Sequence, residues 1–202
     1  MRATTRRESL AGPVGRIECA IDVPAGAPRG LALIAHPHPL FGGTLDNKVV
    51  QTLARALLEQ GCVALRPNFR GVGASEGGYD EGRGEVDDLA AALAWGQREF
   101  GQLPLALAGF SFGAAMQARL AQKVVPQRIL LVGVAVDSFQ VPPVPEGTLV
   151  VHGERDETVP LASVLDWARP QELPVIVVPG ADHFFHRMLQ VLRGIVRHNW
   201  RA

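Results

Sequence analysis

The chain has 202 residues with a hydrophobic content of 47% and a charged content of 20%, enough to bury one sizeable core without disulfide or metal staples. Lys plus Arg and Asp plus Glu are each 20, so the formal net charge is zero. That balance offers no basic field for nucleic acid or an anionic membrane, and the composition excludes intrinsic disorder. Two cysteines, Cys19 and Cys62, are too few for a disulfide scaffold or a zinc cluster and suit a reducing compartment. No apolar run approaches a membrane span, and the basic N-terminus lacks the apolar stretch of a secretion signal. A cytoplasmic protein is expected, with no membrane or nucleic-acid partner.

Residues 1–13 read as an N-terminal tail and residues 14–202 as a single domain. Residues 14–22 alternate apolar and polar positions and predict an exposed edge strand. Leu31–Ala35 is a continuous apolar run, the mark of a strand covered on both faces. Asp46 to Gln60 carries Val50, Leu53, Ala54, Leu57 and Leu58 on one stripe, a helix that Gly61 stops. Cys62–Leu65 predicts a second buried strand, followed by the glycine-dense loop 70–78 and a helix marked by Val86, Leu89, Ala90 and Leu93.

Leu103–Ala108 then predicts a strand, Ala114–Gln122 a helix, and Ile129–Val136 and Thr148–Val151 two further strands. Leu161–Ala168 predicts a short helix, Val175–Val178 a last strand and Met188–Val196 the closing helix. Strand–helix alternation with β-branched, buried strands implies a mainly parallel sheet with helices on both faces. The Pro-rich stretch Val141–Pro145 falls between two strands and reads as a loop inside the domain.

Gly-x-Ser-x-Gly occurs twice, at Gly73–Gly77 around Ser75 and at Gly109–Gly113 around Ser111. A nucleophilic serine on such a turn needs a strand leading in and a helix leading out. Ser111 has both. Ser75 has neither, since it follows Arg70-Gly-Val-Gly73 and runs into Gly77-Gly78. A serine hydroxyl also needs a base held by a third group, and on an open parallel sheet these sit in loops after later strands. Asp156 lies in the loop after 148–151 and His183 in the loop after 175–178. His186 is the alternative base and Asp137, which follows the strand 129–136, the competing acid; His152 reads as a packed or hydrogen-bonded histidine. The order serine, acid, histidine is the one associated with this turn.

At these residues the chain resembles the α/β-hydrolase family, specifically its small lidless members of the dienelactone hydrolase and esterase kind. The likeness rests on His36–Gly43, Phe69–Gly77, the turn around Ser111, and the Gly153–Asp156 and Gly180–His183 loops, and spans Leu31 to the last helix. It implies an α/β-hydrolase fold with no lid domain, Ser111, Asp156 and His183 as a catalytic triad, and no cofactor or metal. One oxyanion donor would be the backbone N–H of Phe112, the residue after the nucleophile. The second would come from the 36–43 loop. Pro37 and Pro39 have no N–H, which leaves Leu40 as first choice, with His38 or Phe41 as alternatives.

Phe41, Phe110 and Phe184 are candidates for an apolar substrate pocket. His36 and His38, two apart, lack an obvious third ligand for a metal. The expected activity is cleavage of short soluble carboxylic esters by a monomer or small homo-oligomer. A thioesterase, a lactonase, an acyl-peptide hydrolase or a non-catalytic binding protein on the same scaffold is the alternative.

Overall fold

The computed structural model describes residues 4–200; residues 1–3 and 201–202 of the expected tail and domain lie outside the described residues. Eight strands form one sheet: β1 Thr4–Gly12, β2 Gly15–Val23, β3 Gly30–Ala35, β4 Cys62–Pro67, β5 Leu105–Phe110, β6 Arg128–Val132, β7 Leu149–Gly153 and β8 Val175–Val178. Their order is β1-β2-β4-β3-β5-β6-β7-β8. The β1–β2 and β2–β4 pairs are antiparallel and all the others parallel.

Five helices connect them: α1 Lys48–Glu59, α2 Arg83–Phe100, α3 Phe112–Leu120, α4 Leu161–Ala168 and α5 Leu189–Asn199. Alternation along β3 splits its side chains between two cores. Leu31, Leu33 and Ala35 join Leu89 of α2, Ala115 of α3 and Val164 of α4. Ala32 and Ile34 join Leu53 and Leu57 of α1 and Leu192 and Val196 of α5. All six β3 residues are buried, as a strand between two helical layers requires.

The N-terminal segment departs from expectation. Residues 4–12 are strand β1, paired along their whole length with β2 through a tight turn at Pro13 and Val14. Their charge is what made them read as a tail. Arg7 pairs with Glu18, Arg6 with Glu99, and Thr5 donates to Asp22, while Leu10 alone is buried. Polar cross-strand partners and one apolar anchor hold this edge, so β2 is an inner strand rather than the rim. A second departure is at β6, which ends at Val132 instead of residue 136. Gly133 takes φ +53° and turns the chain against Phe110 and His183. Between β6 and β7, residues 133–148 carry no helix. No helix among the described residues is long and apolar enough to cross a membrane.

Candidate active site

β5 delivers Ser111 at its carboxyl end, where the backbone adopts φ 56° and ψ −118° before α3 begins. A serine held at positive φ is strained, and the surrounding glycines make the turn possible. A Cβ on Gly109 would lie 2.5 Å from the Gly113 carbonyl, and one on Gly113 would lie 2.4 Å from the Ala35 carbonyl. The turn is therefore pressed against both its own helix and the end of β3. The Ser111 N–H donates to Val132 at 2.9 Å, tying the turn to β6.

The loops after β7 and β8 bring the other two side chains to this point. His183 Nε2 lies 3.1 Å from Ser111 Oγ, and His183 Nδ1 lies 2.6 Å from Asp156 Oδ2. All three residues are buried to within a few per cent. Asp156 Oδ1 accepts the N–H groups of Thr158 at 2.9 Å and Val159 at 2.7 Å, which fix the carboxylate as an acceptor. With the carboxylate accepting at Nδ1, the imidazole carries its proton there and presents a bare Nε2 to the hydroxyl. That arrangement can draw a proton from Ser111.

The competing residues are engaged elsewhere. His186 is exposed and pairs with Asp182 at 2.6 Å, and His198 bonds the Gly194 carbonyl. Asp137 is exposed, and its carboxylate has no hydrogen bond to His183. His36 is buried, with Nδ1 2.7 Å from the Pro37 carbonyl and Nε2 accepting the Phe69 N–H at 3.0 Å. Burial pushes its titration down to about 4, against the smaller opposing pull of the Pro37 carbonyl. Both ring nitrogens thus hold backbone. Among the described residues, no group of three or more His, Cys, Asp or Glu side chains is arranged to hold a metal ion.

The three candidate amides of the 36–43 loop are engaged differently. The Leu40 N–H donates to His38 Nδ1 at 3.2 Å, because residues 39–41 form a 3-10 turn capped by that ring. The Phe41 N–H donates to the His38 carbonyl at 3.1 Å. Of the three candidates, only the His38 N–H has no acceptor among the described residues. The Phe112 N–H opens α3 and, as the first amide of the helix, has no intrahelical acceptor. The His38 and Phe112 rings lie 5.0 Å apart.

The aromatic candidates also divide. Phe110 is completely buried, its ring 4.8 Å from that of His183, so it packs against the imidazole. Phe41 is 86% exposed and Phe184 44% exposed. Phe184 and His183 border a cavity of about 390 Å³ shared with Arg155, Glu157, Thr158, Gly180 and Asp182. The sequence reading missed two contributions. The amides of Thr158 and Val159 are invisible as residue types, and His152 places Nε2 3.5 Å from Asp156 Oδ2.

The loop around Ser75 holds structure together. Ser75 Oγ donates to the Asn68 carbonyl and accepts the Glu18 N–H, both at 2.9 Å. Arg70 forks onto Asp88 of α2 through Nε at 2.9 Å and Nη2 at 2.8 Å, with its own N–H bonding the same carboxylate.

Known proteins agree with this architecture. Residues 38–146 match the model of the alpha/beta hydrolase fold family. An uncharacterized protein of Rickettsia prowazekii is 36% identical, the match covering 86% of this chain and 79% of that protein. A solved alpha-beta serine hydrolase homologue from Coxiella burnetii is 41% identical with a TM-score of 0.91, covering 97% of both chains. An a/b serine hydrolase without lid from Xanthomonas campestris is 38% identical with a TM-score of 0.91, covering 96% of this chain and 93% of that one. The family model spans more than half of the chain and these relatives are 36–41% identical over most of it, so the chain belongs to the α/β-hydrolase family.

Proposed function

We propose that the protein hydrolyses short, soluble carboxylic esters by an acyl-enzyme route. The observation that carries this reading is the unbroken hydrogen-bonded line from Ser111 Oγ through His183 to Asp156 at the mouth of a strained turn. Ser111 Oγ attacks the acyl carbon while His183 Nε2 takes its proton, and Asp156 steadies the resulting imidazolium. The carbonyl oxygen becomes an oxyanion held by the backbone N–H groups of His38 and Phe112, each without an internal acceptor. His183 then protonates the leaving alcohol. Water, deprotonated by the same nitrogen, attacks the acyl-enzyme and releases the acid.

The short acyl preference follows from the open rim. With no helix in the β6–β7 connection, little surface is available to wrap a long chain, and Phe41 and Phe184 stand exposed. A panel of p-nitrophenyl acetate, butyrate and decanoate, an acyl thioester and a peptide amide tests the reading. Turnover falling from acetate and butyrate to decanoate, with labelling by a fluorophosphonate probe that Ser111→Ala abolishes, is the expected result. Thioester or amide turnover exceeding every ester by tenfold or more would reassign the substrate class.

A further inference from the structure

His152 has a place in the site that its packed position conceals. It is the fourth residue of β7 and shares a face with Val150, which packs in the same core cluster as Val159 and Val164. Its side chain is wholly buried. Nε2 lies 2.9 Å from the Val159 carbonyl and 3.5 Å from Asp156 Oδ2, the oxygen that also accepts from His183. A carbonyl only accepts, so Nε2 carries the hydrogen and Nδ1 is left as a bare lone pair. That lone pair is buried with no partner.

A buried acceptor without a donor is costly, and an apolar ring would fill the same space without one. In return the imidazole supplies one N–H, which the carbonyl of the acid's own loop accepts, with the carboxylate close by. Val159 uses its N–H on Asp156 Oδ1 and its carbonyl on His152. Acid, loop and histidine therefore close on one another.

We infer that His152 is a positioning residue for the acid: it locks the Asp156 carboxylate through Val159 and sets the same Nε2–H 3.5 Å from Oδ2, the oxygen that accepts from His183. The inference rests on the triad reading proposed above. The positive end of that N–H dipole beside Oδ2 weakens the hold of Asp156 on a protonated His183, which eases return of the proton to the leaving group. Burial, the largest influence, keeps His152 neutral. The Val159 carbonyl and Asp156 pull toward protonation, and His183 opposes it. The neighbouring loop charges, Arg155 and Glu157, are exposed.

The test compares His152→Leu and His152→Gln in the full chain, reading kcat and KM for p-nitrophenyl acetate, the pH profile of kcat/KM, and the rate of fluorophosphonate labelling. His152→Leu is expected to lower kcat and the labelling rate about tenfold to a hundredfold, the scale of a small misplacement of a catalytic group, with KM unchanged. Its acid limb moves to higher pH, because a carboxylate relieved of that N–H dipole stabilises the imidazolium more. His152→Gln, which keeps an N–H donor at similar reach, restores both. Should the leucine variant fail to fold, His152→Asn, whose amide is too short to reach the carboxylate, replaces it in the comparison.

An unshifted acid limb with wild-type labelling in a folded variant overturns the inference, as does a glutamine variant no better than leucine. Labelling needs no ester. A wild-type protein that labels readily but turns over none of the panel defeats the ester reading alone and leaves the effect of His152 on labelling to be judged.

Discussion

The turns around Ser75 and Ser111 share five-residue spelling and burial, yet their hydroxyls end in different company. Ser75 Oγ is saturated by two backbone groups, Asn68 C=O and Glu18 N–H, and its loop is further pinned by Glu18 to Asn68 and Ala74. Ser111 Oγ meets a single imidazole nitrogen, on a backbone that only a tight strand-to-helix turn would impose. A hydroxyl held by backbone is a rivet; one that meets an imidazole nitrogen is placed where its proton can leave. The difference lies in what surrounds the pattern. Ser75 sits between β4 and α2 in a loop that folds back on β2, whereas Ser111 stands where β5 passes directly into α3.

The largest expected contrast is in turnover. Ser111→Ala should lower kcat about 10⁶-fold while leaving the fold intact, measured as initial rates on p-nitrophenyl acetate. More than a few per cent of residual activity would move the chemistry elsewhere. Next comes Asp156→Asn, expected to cost about 10⁴-fold in kcat by presenting the wrong tautomer of His183, with the melting temperature as a control on folding.

On the side of the Ser75 loop the effects are in stability. Asp88→Ala strands the buried Arg70 guanidinium, and denaturant unfolding should show a loss of about 3–5 kcal/mol. His36, which holds the start of that loop through the Phe69 N–H, makes the attachment sensitive to pH. Burial sets its folded titration at about 4, below the 6.5 of a free imidazole. Above pH 6.5 neither state is protonated and the full stability is present. Between 6.5 and 4 the unfolded chain gains a proton that the folded one refuses, so stability falls by about 3 kcal/mol across that window. Unfolding midpoints at pH 7, 5.5 and 4 read this directly, and His36→Gln should flatten the slope.

The smallest effect sharpens the contrast most. Ser75→Ala removes both partners of two buried backbone groups and should cost about 2 kcal/mol, with kcat within twofold of wild type. A drop in kcat of a hundredfold or more without loss of stability would mean that the Ser75 loop takes part in chemistry after all.

Some of this molecule is written in local pattern. The continuous apolar runs that became β3 and β4 read as strands between two layers, and the stripe of Val50, Leu53, Ala54 and Leu57 reads as a helix facing the sheet. The same holds for Ser111, because the strand before it and the helix after it are readable from hydrophobic spacing. The strand β1 was not readable. Its stability comes from cross-strand partners such as Glu18 and Asp22, which are close only once β2 is laid beside it.

Residue order alone therefore settled the layered α/β architecture and pointed to the serine, acid and histidine, because periodicity and strand-end loops are local properties. Folding decided everything that depends on where backbone hydrogens point. It assigned the Leu40 and Phe41 amides to His38 and left the His38 amide free. It buried Phe110 beside the imidazole and set His152 against Asp156. An amide looks the same in every residue but proline, so its availability is a fact of three dimensions and cannot be spelled.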